Sequence, residues 1–95
     1  MAAYIIVDIE LESPAALADY QALARPTMEE YGIRLLGKAP TQALEGTPIG
    51  KLQVLLQADS PEHAREWHAS PGYQEAIAAR EGKAKFTMSV VPAAQ

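Results

Sequence analysis

The chain has 95 residues, no cysteine, and eight Lys and Arg against twelve Asp and Glu, for a formal net charge of −4. That length fits a single domain over residues 1–95 with one core. The missing cysteine excludes disulfides, thiolate nucleophiles and cysteine metal sites. No stretch gathers Lys or Arg into the basic footprint that phosphate-backbone binding needs, so no nucleic-acid partner is expected. A chain this short buries only about two-thirds of its unfolded surface, so association with a second copy is expected to add burial.

The N-terminus lacks a basic region, and its apolar run meets Asp8 and Glu10 well short of a signal or membrane segment. The expectation is a cytoplasmic protein with no membrane partner. From Ala3 to Leu11 the odd positions Ile5, Val7, Ile9 and Leu11 are apolar, and this alternation predicts a strand. Ser13 and Pro14 supply an N-cap and a first-turn proline for a helix whose inner stripe is Leu17, Tyr20, Ala24, Met28 and Tyr31. Pro26 is expected to kink or restart that helix, and Gly32 to cap it.

Ile33 to Leu36 and Gln42 to Glu45 read as two halves of a second strand, interrupted by Gly37 and Pro40, which signal a bulge or an edge. A turn over residues 46–50 leads to a third strand, Lys51 to Ala58, with Leu52, Val54, Leu56 and Ala58 on one face. Ser60-Pro61 and Ser70-Pro71 repeat the cap-plus-proline signal. They predict two successive helical segments that end near Glu81 and are capped by Gly82. The last strand spans Ala84 to Val91, and residues 92–95 form a tail.

The order strand, helix, strand, strand, helix, strand is the split βαβ arrangement of an α+β, ferredoxin-like fold: a four-stranded antiparallel sheet with helices on one face. The other face carries Tyr4, Ile6 and Leu55, with Leu36 as a further candidate. An apolar face of that size is costly to leave wet, so a C2 homodimer through the open sheet face is expected.

With these elements in place, the chain resembles the domain of unknown function 1330 (DUF1330) family of the dimeric α/β-barrel superfamily, over nearly its whole length. The resemblance rests on Tyr4-Ile5-Ile6-Val7-Asp8-Ile9, Tyr31-Gly32-Ile33-Arg34, Leu44-Glu45-Gly46, and Ser70-Pro71-Gly72-Tyr73-Gln74 followed by Arg80. The chain departs from the family pattern at Ala69 and Gly72, where an asparagine and an acidic residue are common, and in its Val91-Pro92-Ala93 ending. The resemblance implies a ferredoxin-like dimer with a pocket between helices and sheet. The wider superfamily includes cofactor-free monooxygenases, isomerases, dehydratases and stress proteins.

Trp67, His68, Ser70 and Tyr73 form the densest group of chemistry-bearing side chains, to which Arg80 adds a cation. His68 is the natural general acid or base, and Tyr73 a hydrogen-bond donor to a carbonyl or phenolate. Trp67, Ser70, Arg80, Tyr20, Tyr31 and Arg34 are the expected substrate contacts, Arg34 or Arg80 pairing with an anionic group. The structural alternative for the same residues is a core tryptophan, an N-cap serine, a Tyr73–Ile77 packing pair and surface cations. Asp8 is either a base of raised pKa or half of a salt bridge with Arg34 or Lys51. His63 is expected to be exposed. Because His63 and His68 are five apart, they turn to different helix faces, and no metal site is expected. No nucleotide-binding or hydrolase motif occurs, so no cofactor is expected. Two functions follow: a cofactor-independent enzyme of monooxygenase, isomerase or cyclase type acting on a small oxygenated or aromatic compound, or a non-catalytic ligand-binding or stress-response dimer.

Overall fold

The computed structural model describes residues 1–12 and 14–94. Its elements run β1 (Ala3–Leu11), a 3-10 turn (Pro14–Leu17), α1 (Ala18–Tyr31), β2 (Arg34–Pro40), β3 (Leu52–Ala58), α2 (Pro61–Ala69), α3 (Pro71–Arg80) and β4 (Ala84–Pro92). All strand pairs are antiparallel and the sheet order is β2-β3-β1-β4, the ferredoxin-like βαββαβ topology. The alternation in β1 determines its two faces. Ile5, Val7 and Ile9 are buried beneath the helices with Leu56, Ala58, Trp67, Tyr73 and Ala76 in one core.

The cap signals act as their chemistry requires. The Ser60 hydroxyl accepts from the His63 amide at 3.0 Å and the Ser70 hydroxyl from the Tyr73 amide at 3.3 Å, each directly ahead of a proline at the helix start. Gly32 closes α1 at φ 65°, where the Ile33 amide reaches back to the Met28 carbonyl at 2.8 Å. The expected cap at Ser13 and the tail residue Gln95 lie outside the described residues.

Two expectations are corrected. Pro26 does not restart the first helix: α1 runs unbroken from Ala18 to Tyr31 with Pro26 exposed, while Ala24 and Thr27 on either side of it are buried and hold the helix down. Residues 42–45 are not a strand. β2 is one segment, with a bulge between Leu35 and Gly37, and Pro40 already pairs with Leu52, the first residue of β3. After the bond from the Thr41 amide to the Lys51 carbonyl at 2.8 Å, no further β3 residue is left to pair, and 42–49 forms an exposed loop.

Gly50 brings that loop back against the sheet. A Cβ there would lie 2.5 Å from the Ile9 carbonyl oxygen, and the Lys51 amide donates to that same oxygen at 3.1 Å. The face away from the helices keeps Ile6, Leu55 and Val91 exposed, with Ile6 and Leu55 opposite one another in register. Leu36 sits in the bulge and is also exposed. Among the described residues no helix is long and apolar enough to cross a membrane.

Candidate functional site

Between α1 and the sheet lies a cavity of about 290 Å³. Val7, Ile9, Val54, Leu56, Phe86 and Met88 supply its sheet side, Trp67 closes one part, and Tyr20, Ala24 and Met28 line it from α1. These last three are spaced i, i+4, i+8, one stripe of the helix, and the small Ala24 in the middle leaves room beneath it. One position along, Gln21, Arg25 and Glu29 form the rim, and Lys38 of β2 joins them. The size is near the lower end for a small-molecule site, and the lining is mainly apolar with a few polar groups, the usual composition of such sites.

The polar group of the wall is Tyr20. Its hydroxyl lies 2.7 Å from the hydroxyl of Tyr73, which is fully buried behind it. The Tyr20 ring packs on Phe86 at 5.0 Å and edge-on against Tyr73 at 6.1 Å. The Arg80 guanidinium stacks over Phe86 at 3.8 Å and lies 5.3 Å from the Tyr20 ring centroid. Its Nε is buried and has no hydrogen-bond partner among the described residues. Burial and the Tyr73 hydroxyl push the Tyr20 phenol well above its ordinary pKa, with Arg80 pulling weakly the other way, so Tyr20 keeps its proton. The two hydroxyls carry two hydrogens and share one bond, and neither has another protein acceptor among the described residues. When Tyr73 is the donor within the pair, the Tyr20 O–H at the cavity wall is left for an external acceptor; Tyr73 itself is fully buried and does not line the cavity.

The expected site residues do not all meet in one place. Tyr20 and Trp67 line the cavity, and Tyr73 and Arg80 stand directly behind Tyr20. Ser70 is buried as a cap, its hydroxyl also donating to the Trp67 carbonyl at 2.7 Å. Exposed His68 lines a different depression of about 320 Å³ with Ile5, Arg65 and Val90, and Trp67 and Met88 form the wall shared with the first cavity. The His68 ring still lies 5.4 Å from that of Tyr73, tilted against it by 49°.

Tyr31 and Arg34 do not reach the cavity. The Tyr31 ring packs on His63, whose Nε2 bonds to the Tyr31 carbonyl, so His63 is half-buried rather than exposed as expected. Arg34 pairs with Gln57 on the open face. Asp8 accepts from Gln53 Nε2 at 2.8 Å, the partner opposite it in register, in place of the expected Arg34 or Lys51. Among the described residues no group of three or more acidic or histidine side chains converges as a metal site.

Thr27, Arg25, Lys38 and Phe86 escaped the sequence reading. Thr27 Oγ1 accepts from the Trp67 indole at 3.0 Å and donates to the Ala24 carbonyl at 2.6 Å, tying α1 to α2. A polar residue on the inner stripe, three after Ala24, was the available signal. Gly72 packs against the same residue: a Cβ there would lie 2.8 Å from Thr27 Cγ2. Any side chain at this position would require Thr27 to shift.

The model of the family described as domain of unknown function (DUF1330) matches residues 2–94. No curated protein matches the sequence significantly. Among solved structures, a protein of unknown function from Rhodopseudomonas palustris is similar with a TM-score of 0.76 and 15% identity, covering 99% of this chain and 83% of that one. A dimeric ferredoxin-like protein of unknown function from a Jannaschia species is similar at 0.71 and 13%, covering 98% and 100%. SnoaB, a cofactor-independent oxygenase from Streptomyces nogalater, is similar at 0.62 and 10%, covering 99% and 94%. At these identities the likeness is one of fold.

Proposed function

The chain belongs to the DUF1330 family, and we propose that it is a homodimer that takes a small, mostly apolar molecule into the cavity between α1 and the sheet. The Tyr20–Tyr73 hydroxyl pair donates a hydrogen bond there to a carbonyl, enolate or phenolate oxygen of that molecule. The observation that carries this reading is the 2.7 Å hydroxyl pair at the wall of a mainly apolar cavity, where donation by Tyr73 leaves the Tyr20 O–H unspent. A donor that stays protonated and is already oriented is suited to an oxygen on which negative charge develops. The chemistry it supports is cofactor-independent enolate or phenolate stabilisation, of the kind an isomerase or oxygenase needs. SnoaB shows that this fold accommodates an oxygenase without a cofactor. In this reading Arg80 braces Tyr20 from behind, and His68, on the far side of Trp67, takes no part.

The dimer has separate support. Ile6, Leu55 and Val91 remain exposed on the sheet face opposite the helices, and a structural neighbour of the same topology is described as dimeric.

Protein-observed NMR tests the cavity and the donor together, with 2-acetonaphthone against 2-ethylnaphthalene, which has a similar body and no carbonyl. The ketone is expected to shift resonances of α1, β3 and the Trp67 indole. Tyr20→Phe should weaken the ketone by about two- to twelve-fold, the scale of one neutral hydrogen bond, and leave the hydrocarbon unchanged. Equal affinity of the ketone for wild type and Tyr20→Phe would refute the donor.

A further inference from the structure

Were β2 an uninterrupted strand, Lys38 would share the open face with Arg34, since side chains alternate with a period of two. The bulge between Leu35 and Gly37 resets that alternation. Arg34 pairs with Gln57 and Gly37 with Leu55, both on the open face, whereas Lys38 pairs with Val54, a cavity residue. Re-aiming a side chain is a recognised use of a bulge. It puts Lys38 at the cavity's edge on the sheet side, while Arg25 reaches the same cavity from α1. Neither cation forms an ion pair or a side-chain hydrogen bond among the described residues. Glu29 lines the cavity one helical turn beyond Arg25 and is not within ion-pair distance of it. In a chain of net charge −4, two unspent cations border an apolar cavity against one carboxylate.

We propose that the cavity's ligand is a carboxylate: an apolar, ring-sized body lying against Val7, Val54 and Met88, with its charged group at the mouth between Arg25 and Lys38. This rests on the cavity reading above and adds the ligand's charge to it. The oxygen acceptor at Tyr20 and the carboxylate at the mouth then lie at opposite ends of one molecule. Both cations are exposed, so each contributes on the scale of a surface ion pair, about two- to five-fold in affinity, and that contribution is screened by salt. Glu29 opposes a second negative charge, which selects a monoanion over a dianion.

The test compares 6-hydroxy-2-naphthoate with its methyl ester by NMR titration. The two share a body and a hydroxyl and differ by one charge and a methyl group. At low ionic strength the acid is expected to bind about four- to twenty-five-fold more tightly, the product of the two cations. The preference should shrink in about 0.5 M salt, where the screening length falls to a few ångströms. Arg25→Gln combined with Lys38→Gln should bring acid and ester to parity without changing the ester, and Glu29→Gln should strengthen the acid. Both cations are exposed, and an unchanged amide spectrum of the free variants establishes that they fold. Equal binding of acid and ester to the wild type would overturn the inference alone, as would a preference that survives the double substitution. If neither ligand shifts α1, β3 or Trp67, the cavity reading itself is overturned.

Discussion

Thr27→Val is the sharpest test of how the helix layer is held over the cavity. Valine keeps the branched shape and removes the hydroxyl that accepts from Trp67 Nε1 at 3.0 Å and donates to the Ala24 carbonyl at 2.6 Å. The Ala24 carbonyl keeps its place in the α1 ladder. The indole N–H, on a residue 1% exposed, has no other acceptor among the described residues. The cost is therefore that of one unsatisfied buried donor, about 1–3 kcal/mol. A buried methyl in place of the hydroxyl offsets up to about 0.8 kcal/mol of it. A net loss of about 1–2 kcal/mol corresponds to a fall in Tm of about 4–16 °C for a domain of this size.

Trp67 is the single tryptophan, so its fluorescence in a urea titration reads the change directly, at fixed protomer concentration because a dimer's stability depends on it. Repeating Trp67→Phe in both backgrounds closes the cycle, with an expected coupling of about 1 kcal/mol. A loss below about 0.5 kcal/mol for Thr27→Val, or no coupling to Trp67, would refute the claim that this bond joins α1 to α2.

Gly50→Ala should destabilise by about 2 kcal/mol or more, because its Cβ would meet the Ile9 backbone at 2.5 Å, where nothing flexible can yield. Hydrogen exchange at the Lys51 amide, which donates to Ile9, should accelerate with it. Ile6→Asp places a charge opposite Leu55 on the open face and should convert a dimer to monomer in light scattering, with circular dichroism unchanged. A dimer that survives would move the interface elsewhere. The raised pKa of Tyr20 gives a signed pH effect: its stabilising share is complete below the ordinary phenol value of 10.0 and is lost as pH rises above it, because only the unfolded chain ionises there. Tyr20→Phe should flatten the alkaline limb of stability against pH, and an unchanged limb would assign that loss to other groups.

Much of the fold was legible because local chemistry decides it. The odd residues of β1, the Ser-Pro pairs at 60–61 and 70–71, and Gly32 each satisfy a backbone requirement within a few residues of themselves, so chain order was enough to read them. The second strand was misjudged, since its end depends on where β3 begins, a fact about another segment. The lining of the candidate cavity was legible in part. Tyr20 and Trp67 were identified from helical spacing, and the Trp67–Tyr73 cluster was located, yet its members divide between two sides of Trp67.

What the sequence determined by itself is the alternation of the strands, the helix starts and stops, and hence the βαββαβ order, all set by periodicity and capping within short windows. Tertiary structure alone decided which side chains meet. The bulge at Leu35–Gly37 turned Lys38 from the open face to the cavity, and the packing of α1 against α3 set two hydroxyls 53 residues apart at 2.7 Å. A register shift of one residue reverses every facing beyond it, and a contact between distant hydroxyls has no local signature. The chemistry of the cavity is therefore a property of the folded chain.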